Sequence, residues 1–74
     1  MINKFALEDF FFLEETIDGK TAITTACSDE GVLAREARLM AQRERNFGSE
    51  GFFRVLDSSG NVISVVDGNG TLLK

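Results

Sequence analysis

The chain has 74 residues, a formal net charge of −4, a single cysteine, and no His, Trp, Tyr or Pro. A chain of this length forms one small domain, which buries only about 60 % of the surface that its unfolded form exposes. With Cys27 as the only thiol and no histidine, an intramolecular disulfide and a zinc site of the Cys/His type are excluded. The acidic balance argues against a general nucleic-acid binder, which needs many Lys and Arg contacts to phosphate.

The first residues contain no apolar run of signal-peptide length, and the longest apolar block, residues 10–13, is far too short to cross a bilayer. We therefore expect a cytoplasmic protein with no membrane contact, and a lone free thiol suits a reducing compartment. The hydrophobic fraction of 43 % is typical of a folded globular domain. Such a small core usually gains further burial from self-association or from docking onto a larger partner.

An Asp18-Gly19 pair between two runs rich in β-forming residues predicts a β-hairpin with a type I′ turn over residues 10–27. Both faces of this hairpin carry apolar residues. The predicted cross-strand pairs are Ile17 with Lys20, Leu13 with Thr24 and Phe11 with Ala26 on one face, and Thr16 with Thr21, Glu14 with Ile23 and Phe12 with Thr25 on the other.

A helix is predicted over residues 29–46, with Ser28 as its N-cap and Gly48 as its stop. The spacing of four and three residues defines a stripe that should pack on a sheet, made of Leu33, Ala37, Met40, Glu44 and Phe47. The same spacing places Arg35, Arg38, Gln42 and Arg45 on roughly the opposite side, facing solvent or a partner.

The last segment, residues 52–73, reads as a β-meander with strands at 52–56, 62–66 and 71–73 and with turns that end at Gly60 and Gly70. A three-residue loop closed by Gly60 would set Phe53 opposite Val65 and Val55 opposite Ile63, which gives a wholly apolar face. The other face is also largely apolar and holds Phe52, Arg54, Leu56, Val62, Ser64 and Val66. Since one helix covers one side of a sheet, the second face either contacts another protein or is covered by strand curvature and chain ends.

The predicted fold class is α+β, an antiparallel β-sheet in ββαβββ order with one helix packed on one face and a single domain over residues 1–74. The predicted core consists of Phe10, Phe12, Ile23, Leu33, Ala37, Met40, Phe53, Val55, Ile63 and Val65.

Three patterns could indicate chemistry, and each has a simpler structural interpretation. The Asp-rich turns at 57–60 and 67–71 resemble the opening of an EF-hand loop, but Leu72 stands where that loop needs Gly, and hairpin turns explain both segments. The adjacent acids Glu14 and Glu15 point to opposite faces of a strand, as would Glu8 and Asp9, so neither pair converges on a substrate. Cys27 lacks a histidine base, which favours a structural thiol over a nucleophile. We therefore expect no enzymatic activity, no cofactor and no metal.

The best candidate for recognition is the arginine face of the helix, because several guanidinium groups on one rigid surface can bind carboxylates or phosphates. A solvated helix face is the alternative. A second copy of the chain could offer Glu14, Glu15 or Asp18 to these arginines, which would give a homodimer. The predicted partner-binding residues are Arg35, Arg38, Arg43, Arg45, Phe11, Leu13, Phe52 and Leu56.

In size, acidity and its plan of one helix on a sheet, the chain resembles small proteins of phages and mobile elements, including anti-CRISPR and other anti-defence inhibitors. This resemblance implies a non-catalytic protein-protein interaction module that inhibits a host complex. The alternative is a weak nucleic-acid-binding module that uses the arginine face of the helix, although no aromatic residues are interleaved with these arginines for stacking.

Overall fold

The computed structural model describes residues 9–49 and 51–74. The elements, in chain order, are β1 (Phe11–Ile17), β2 (Lys20–Cys27), α1 (Glu30–Asn46), β3 (Gly51–Leu56) and β4 (Val62–Val66). The strands form one antiparallel sheet in the order β2-β1-β3-β4, and α1 connects β2 to β3. This confirms the predicted α+β class. The prediction of a third meander strand at 71–73 is wrong, because this segment forms only a single bridge, between Leu72 and Val66.

The hairpin of β1 and β2 forms around Asp18 and Gly19, whose φ angles of 52° and 80° are those of a type I′ turn. The predicted pairs are confirmed from the turn out to Glu14 and Ile23. Beyond them, Thr24 is the extra residue of a β-bulge, and its hydroxyl donates to the carbonyl of Leu13 at 3.4 Å.

The bulge makes the other three predicted pairs wrong by one residue. In the structure the pairs are Leu13 with Thr25, Phe12 with Ala26 and Phe11 with Cys27. A one-residue shift moves each side chain beyond the bulge to the other face. As a result Cys27, rather than Ala26, lies on the side of the helix, where it packs against the core.

Helix α1 begins one residue later than predicted because its N-cap is Asp29, not Ser28. The Asp29 carboxylate accepts a hydrogen bond from the Gly31 N–H at 2.9 Å. The predicted stop at Gly48 is confirmed, since Gly48 has φ +82° and its N–H donates to the carbonyl of Arg45 at 3.0 Å. The N–H of Ser49 donates to Glu44 at 2.9 Å, which completes a Schellman ending.

The core lies between α1 and one face of the sheet, which we call the covered face. Its fully or almost fully buried apolar residues are Leu13, Leu33, Ala37, Ala41, Phe53, Val55 and Val66. Four residues of the predicted core are therefore confirmed: Leu33, Ala37, Phe53 and Val55. Met40 packs against this core while remaining partly exposed.

The other predicted core residues are wrong. Ile23 is 54 % exposed, and Phe10, Phe12, Ile63 and Val65 are only half-buried. Phe47, predicted at the end of the buried helix stripe, is 78 % exposed because it lies at the C-cap, where the helix has already ended.

The register of β4 contains a second bulge. The loop between β3 and β4 closes as predicted, with the Asp57 N–H donating to Asn61 and the Gly60 N–H donating to Asp57. Beyond Leu56 and Val62 the register shifts by one, so Phe53 lies opposite Val66 and Val55 opposite Ser64. The predicted pairs of Phe53 with Val65 and of Val55 with Ile63 are therefore wrong, and Val66 is the β4 residue that α1 buries.

Candidate functional site

The face of the sheet opposite α1, which we call the open face, is covered by no other helix or strand of the described residues. Strand alternation and the pairings assign to it Phe12, Glu14 and Thr16 of β1, Thr21, Ile23 and Ala26 of β2, Phe52, Arg54 and Leu56 of β3, and Val62 and Val65 of β4. Among these side chains, Ile23 and Phe52 are 54 % and 45 % exposed. The open face is therefore largely apolar and partly exposed among the described residues.

An ion pair lies at the centre of the open face. Glu14 and Arg54 are opposite residues of the β1 and β3 ladder, and the Arg54 Nε donates to the Glu14 Oε1 at 2.7 Å. The hydrogen bond from Arg54 to Glu14, and then the negative charge of Glu14, hold the pKa of Arg54 above its ordinary value. This pair fixes the guanidinium on the sheet.

Apolar side chains flank the ion pair in both directions along the strands. Toward one end, Phe12 and Leu56 are opposite residues of the same ladder, and Val62 lies opposite Leu56. Toward the other end, Phe52 lies opposite Thr16, whose hydroxyl shares a hydrogen bond with that of Thr21 at 2.9 Å. The surface thus has an arginine surrounded by aromatic and aliphatic groups.

The structure divides the predicted sheet residues between the two faces. Phe52 and Leu56 lie on the open face, as the partner prediction requires. Leu13 is 0 % exposed in the core and Phe11 packs against that core, so these two residues lie on the covered face and not on the open face. Sequence reasoning missed Arg54 and Phe12, whose pairing across β1 and β3 depends on long-range register.

The helix arginines are exposed, and the predicted row of Arg35, Arg38 and Arg45 lies within about 80° around the helix axis. At 100° per residue, Arg43 lies about 150° around the helix axis from Arg38 and Arg45. The Arg38 Nε donates to the carbonyl of Gly70 at 3.3 Å and so holds the last turn against α1. Glu14, one of the three acids that a second copy could offer to these arginines, already accepts a hydrogen bond from Arg54.

A shallow cleft of about 610 Å³ lies at the end of the sheet where three turns meet. Its walls include Asp18 of the hairpin turn, Arg45 and Ser49 at the end of α1, and Asp67 of the last turn. The Asp67 Oδ1 already accepts the N–H groups of Asn69 and Thr71, both at 2.9 Å. The cleft therefore offers a mixture of charges, and one of its carboxylates is already used to hold the last turn.

The two Asp-rich turns are hairpin turns of the same design. In the first, the Asp57 Oδ1 accepts the N–H groups of Ser59 and Asn61 at 2.9 and 2.8 Å, and the Oδ2 accepts from the Asn61 Nδ2 at 3.1 Å. The backbone and side-chain hydrogen bonds from Asn61 lower the pKa of Asp57 most. Within the described residues no group of three or more acidic or cysteine side chains is placed to hold a metal ion.

Cys27 ends β2 and lies half-buried against the core, and its sulfur accepts the N–H of Asp29 at 3.5 Å. This position on the covered face fits the structural interpretation of the thiol.

Comparison of the chain with family models, with curated proteins and with solved structures finds no match. Over the parts of the chain that the structure describes, no helix has the length and apolar character needed to span a membrane.

Proposed function

We propose that this protein is a non-catalytic protein-interaction module and that its partner docks on the open face. The observation that supports this proposal is the apolar character of a sheet face that no other described element covers. A four-stranded antiparallel sheet with one helix buries one face and leaves the other free for contact. Aromatic residues and arginine on such a face are the residue types enriched where proteins bind one another.

The Glu14–Arg54 pair favours recognition because it holds Arg54 in place before a partner arrives. A side chain that is already fixed loses less conformational freedom on binding, so more of the contact energy remains for affinity. The fitting partner surface offers apolar groups to Phe52 and Leu56 and a hydrogen-bond acceptor, such as a carboxylate or a main-chain carbonyl, to the guanidinium of Arg54.

Inhibition of a host complex, the role that the resemblance to small phage proteins implies, is one form of this function. A small chain without catalytic groups inhibits by occupying a surface that another molecule needs. The open face would be that occupying surface, so substitutions on it should abolish inhibition while the fold remains intact. Phage or defence genes beside the coding sequence would support this role.

A photo-crosslinking amino acid at position 52, introduced in the organism that encodes the chain, tests the proposal. Phe52 is 45 % exposed on the open face, so we expect a discrete covalent adduct with one partner. The matched control places the same amino acid at Arg35, which is exposed on α1. A second substitution, Leu56→Asp, should remove the adduct at position 52. Equal labelling from both positions, or none from position 52, would contradict docking on the open face.

Weak nucleic-acid binding through Arg35, Arg43 and Arg45 is the alternative, and their exposure on α1 is the observation in its favour. The net charge of −4 and the spread of these arginines around the helix weaken it. Titration with duplex and single-stranded DNA at two salt concentrations distinguishes the two functions, because phosphate contacts weaken steeply as salt rises. Gln replacements should spare Arg38, since it supports the turn at Gly70.

A further inference from the structure

The two edges of the sheet differ. At the β4 edge, Leu72 bridges to Val66, the Leu73 N–H donates to the carbonyl of Val65 at 2.7 Å, and the Lys74 Nζ donates to Val62 at 3.3 Å. At the other edge, nothing in the described ranges 9–49 and 51–74 pairs with the outer side of β2. Seven of its eight residues are exposed, and it carries one charge, Lys20, at its end.

An edge strand of this length with so little charge is a template for another strand, and proteins usually protect such edges. The two-residue turn makes Ile17 and Lys20 a hydrogen-bonded pair, so the alternation of the ladder directs the main-chain groups of Thr21 and Ile23 outward. Thr21 and Ile23 lie opposite Thr16 and Glu14 of β1, and Ala26 lies opposite Phe12, the next residue but one along the same strand. The main-chain groups of Ala26 therefore also point outward.

We propose that β2 pairs antiparallel with β2 of a second copy, about a two-fold axis at the step between Ile23 and Thr24. This register sets Lys20 opposite Cys27 of the second copy, Thr21 opposite Ala26, and Ala22 opposite Thr25. The bulge at Thr24 is what makes the register self-complementary. Because of it, both members of each of these pairs lie on the same face of the sheet, and Thr21 and Ala26 both direct their main-chain groups outward.

The pairing needs no compensation for like charges, since the only charged residue of β2 meets a thiol. It joins two sheets into one of eight strands, with both helices on one side and both open faces on the other. One open face has a projected area on the order of 350 Å², from strand spacing and rise. A standard interface buries about 800 Å² per partner. The joined face approaches that size. Its use as a docking surface rests on the proposed function, whereas the pairing of the strands does not.

The first test is molar mass in solution. The unaltered chain should have twice its monomer mass of 8.2 kDa. Thr21→Pro removes an outward N–H that the register pairs with Ala26 of the second copy while keeping the bonds to β1, so it should shift the mass to that of a monomer. Thr21→Ala removes the same side chain but keeps the N–H, and it should remain dimeric. A monomeric parent chain at all concentrations would overturn the proposal.

The second test identifies the register. Lys20→Cys should form an intermolecular disulfide with the native Cys27 of the other copy, because opposite residues of paired strands lie within bonding reach. Within one strand these positions are about 23 Å apart, which excludes an intramolecular bond. Adding Cys27→Ala to Lys20→Cys should abolish the linkage. A dimer that does not form this disulfide would overturn the β2 register. Docking on the open face is tested separately, by photo-crosslinking from position 52.

Discussion

Glu14 and Arg54, 40 residues apart in the chain, are opposite residues of the β1 and β3 ladder, and their side chains meet at 2.7 Å. Their exposures are unequal: the Glu14 side chain is 13 % exposed and that of Arg54 is 38 % exposed. Neighbouring open-face side chains therefore screen the carboxylate from water more than the guanidinium. This asymmetry determines which partner is costlier to lose.

Removing Arg54 should destabilise the fold more than removing the charge of Glu14. Arg54→Met leaves a largely screened carboxylate without a partner, which costs about 1–3 kcal/mol of unfolding free energy. Glu14→Gln keeps a hydrogen-bond acceptor and leaves Arg54 accessible to water, so its cost should be about 0–1 kcal/mol. Urea unfolding measures both, and the double variant should recover part of the Arg54→Met loss. Equal costs for the two single variants would contradict this account.

Truncation of two adjacent phenylalanines should destabilise the fold to very different extents. Phe53 is 0 % exposed beneath α1, so Phe53→Ala should cost about 3–5 kcal/mol, enough to unfold most molecules of so small a domain. Phe52→Ala, on the open face, should cost well under half as much and leave the circular dichroism spectrum unchanged. Similar losses from the two variants would mean that the open face is packed against something.

The side of β1 that α1 covers could have been predicted from its composition. One face of the strand holds Phe11, Leu13, Glu15 and Ile17, of which three are apolar, whereas the other holds Phe12, Glu14 and Thr16. Burying the first set keeps Glu14 beside Arg54 rather than beneath the helix. The turn chemistry, the order of the elements and the end of the helix followed from Gly and Asp positions in the sequence.

The two bulges could not have been predicted from local patterns. Thr24 and Ile63 resemble ordinary strand residues, and their insertion is determined by which neighbours reach the core: Cys27 on β2 and Val66 on β4. Each bulge reverses the faces of the residues beyond it, so the predicted core was wrong for β4. The pairing of Arg54 with Glu14 could not be predicted from local patterns either, since it is set by the long-range register of β1 with β3.

The choice of helix cap gives a direct comparison of neighbouring residues. Asp29→Ala removes the acceptor for the Gly31 N–H and should cost about 1 kcal/mol of unfolding free energy. Ser28→Ala is the matched control and should change stability little, because Ser28 lies outside the cap. Urea denaturation midpoints measure the difference. A larger loss of stability from Ser28→Ala than from Asp29→Ala would mean that Ser28 is the N-cap, as the sequence predicted.

Acid should weaken the β3–β4 turn through Asp57. Hydrogen bonds from Asn61 lower the pKa of Asp57 from its ordinary value of 3.8, so the unfolded chain takes up this proton at a higher pH than the folded one. The resulting stabilisation is present above the unfolded pKa and is lost as pH falls through the lowered folded pKa. The free energy of unfolding, measured with urea, should therefore decrease more for the parent chain than for Asp57→Asn as pH falls from about 5 to about 2, because the asparagine of that variant does not titrate. Parallel pH profiles would contradict this role.

The last turn should be far less tolerant of a side chain than the turn before it. Gly60 and Gly70 both have positive φ angles, +87° and +77°, so alanine at either costs about 1–2 kcal/mol of backbone strain. A Cβ at Gly60 meets no atom within 4 Å, whereas one at Gly70 lies 3.2 Å from the Gln42 Cγ and 3.4 Å from the Arg38 carbonyl. Gly70→Ala should therefore lower the unfolding free energy by more than Gly60→Ala. Truncating the crowded side chain with Gln42→Ala should recover much of that extra loss, whereas no recovery would mean that the turn does not pack against α1.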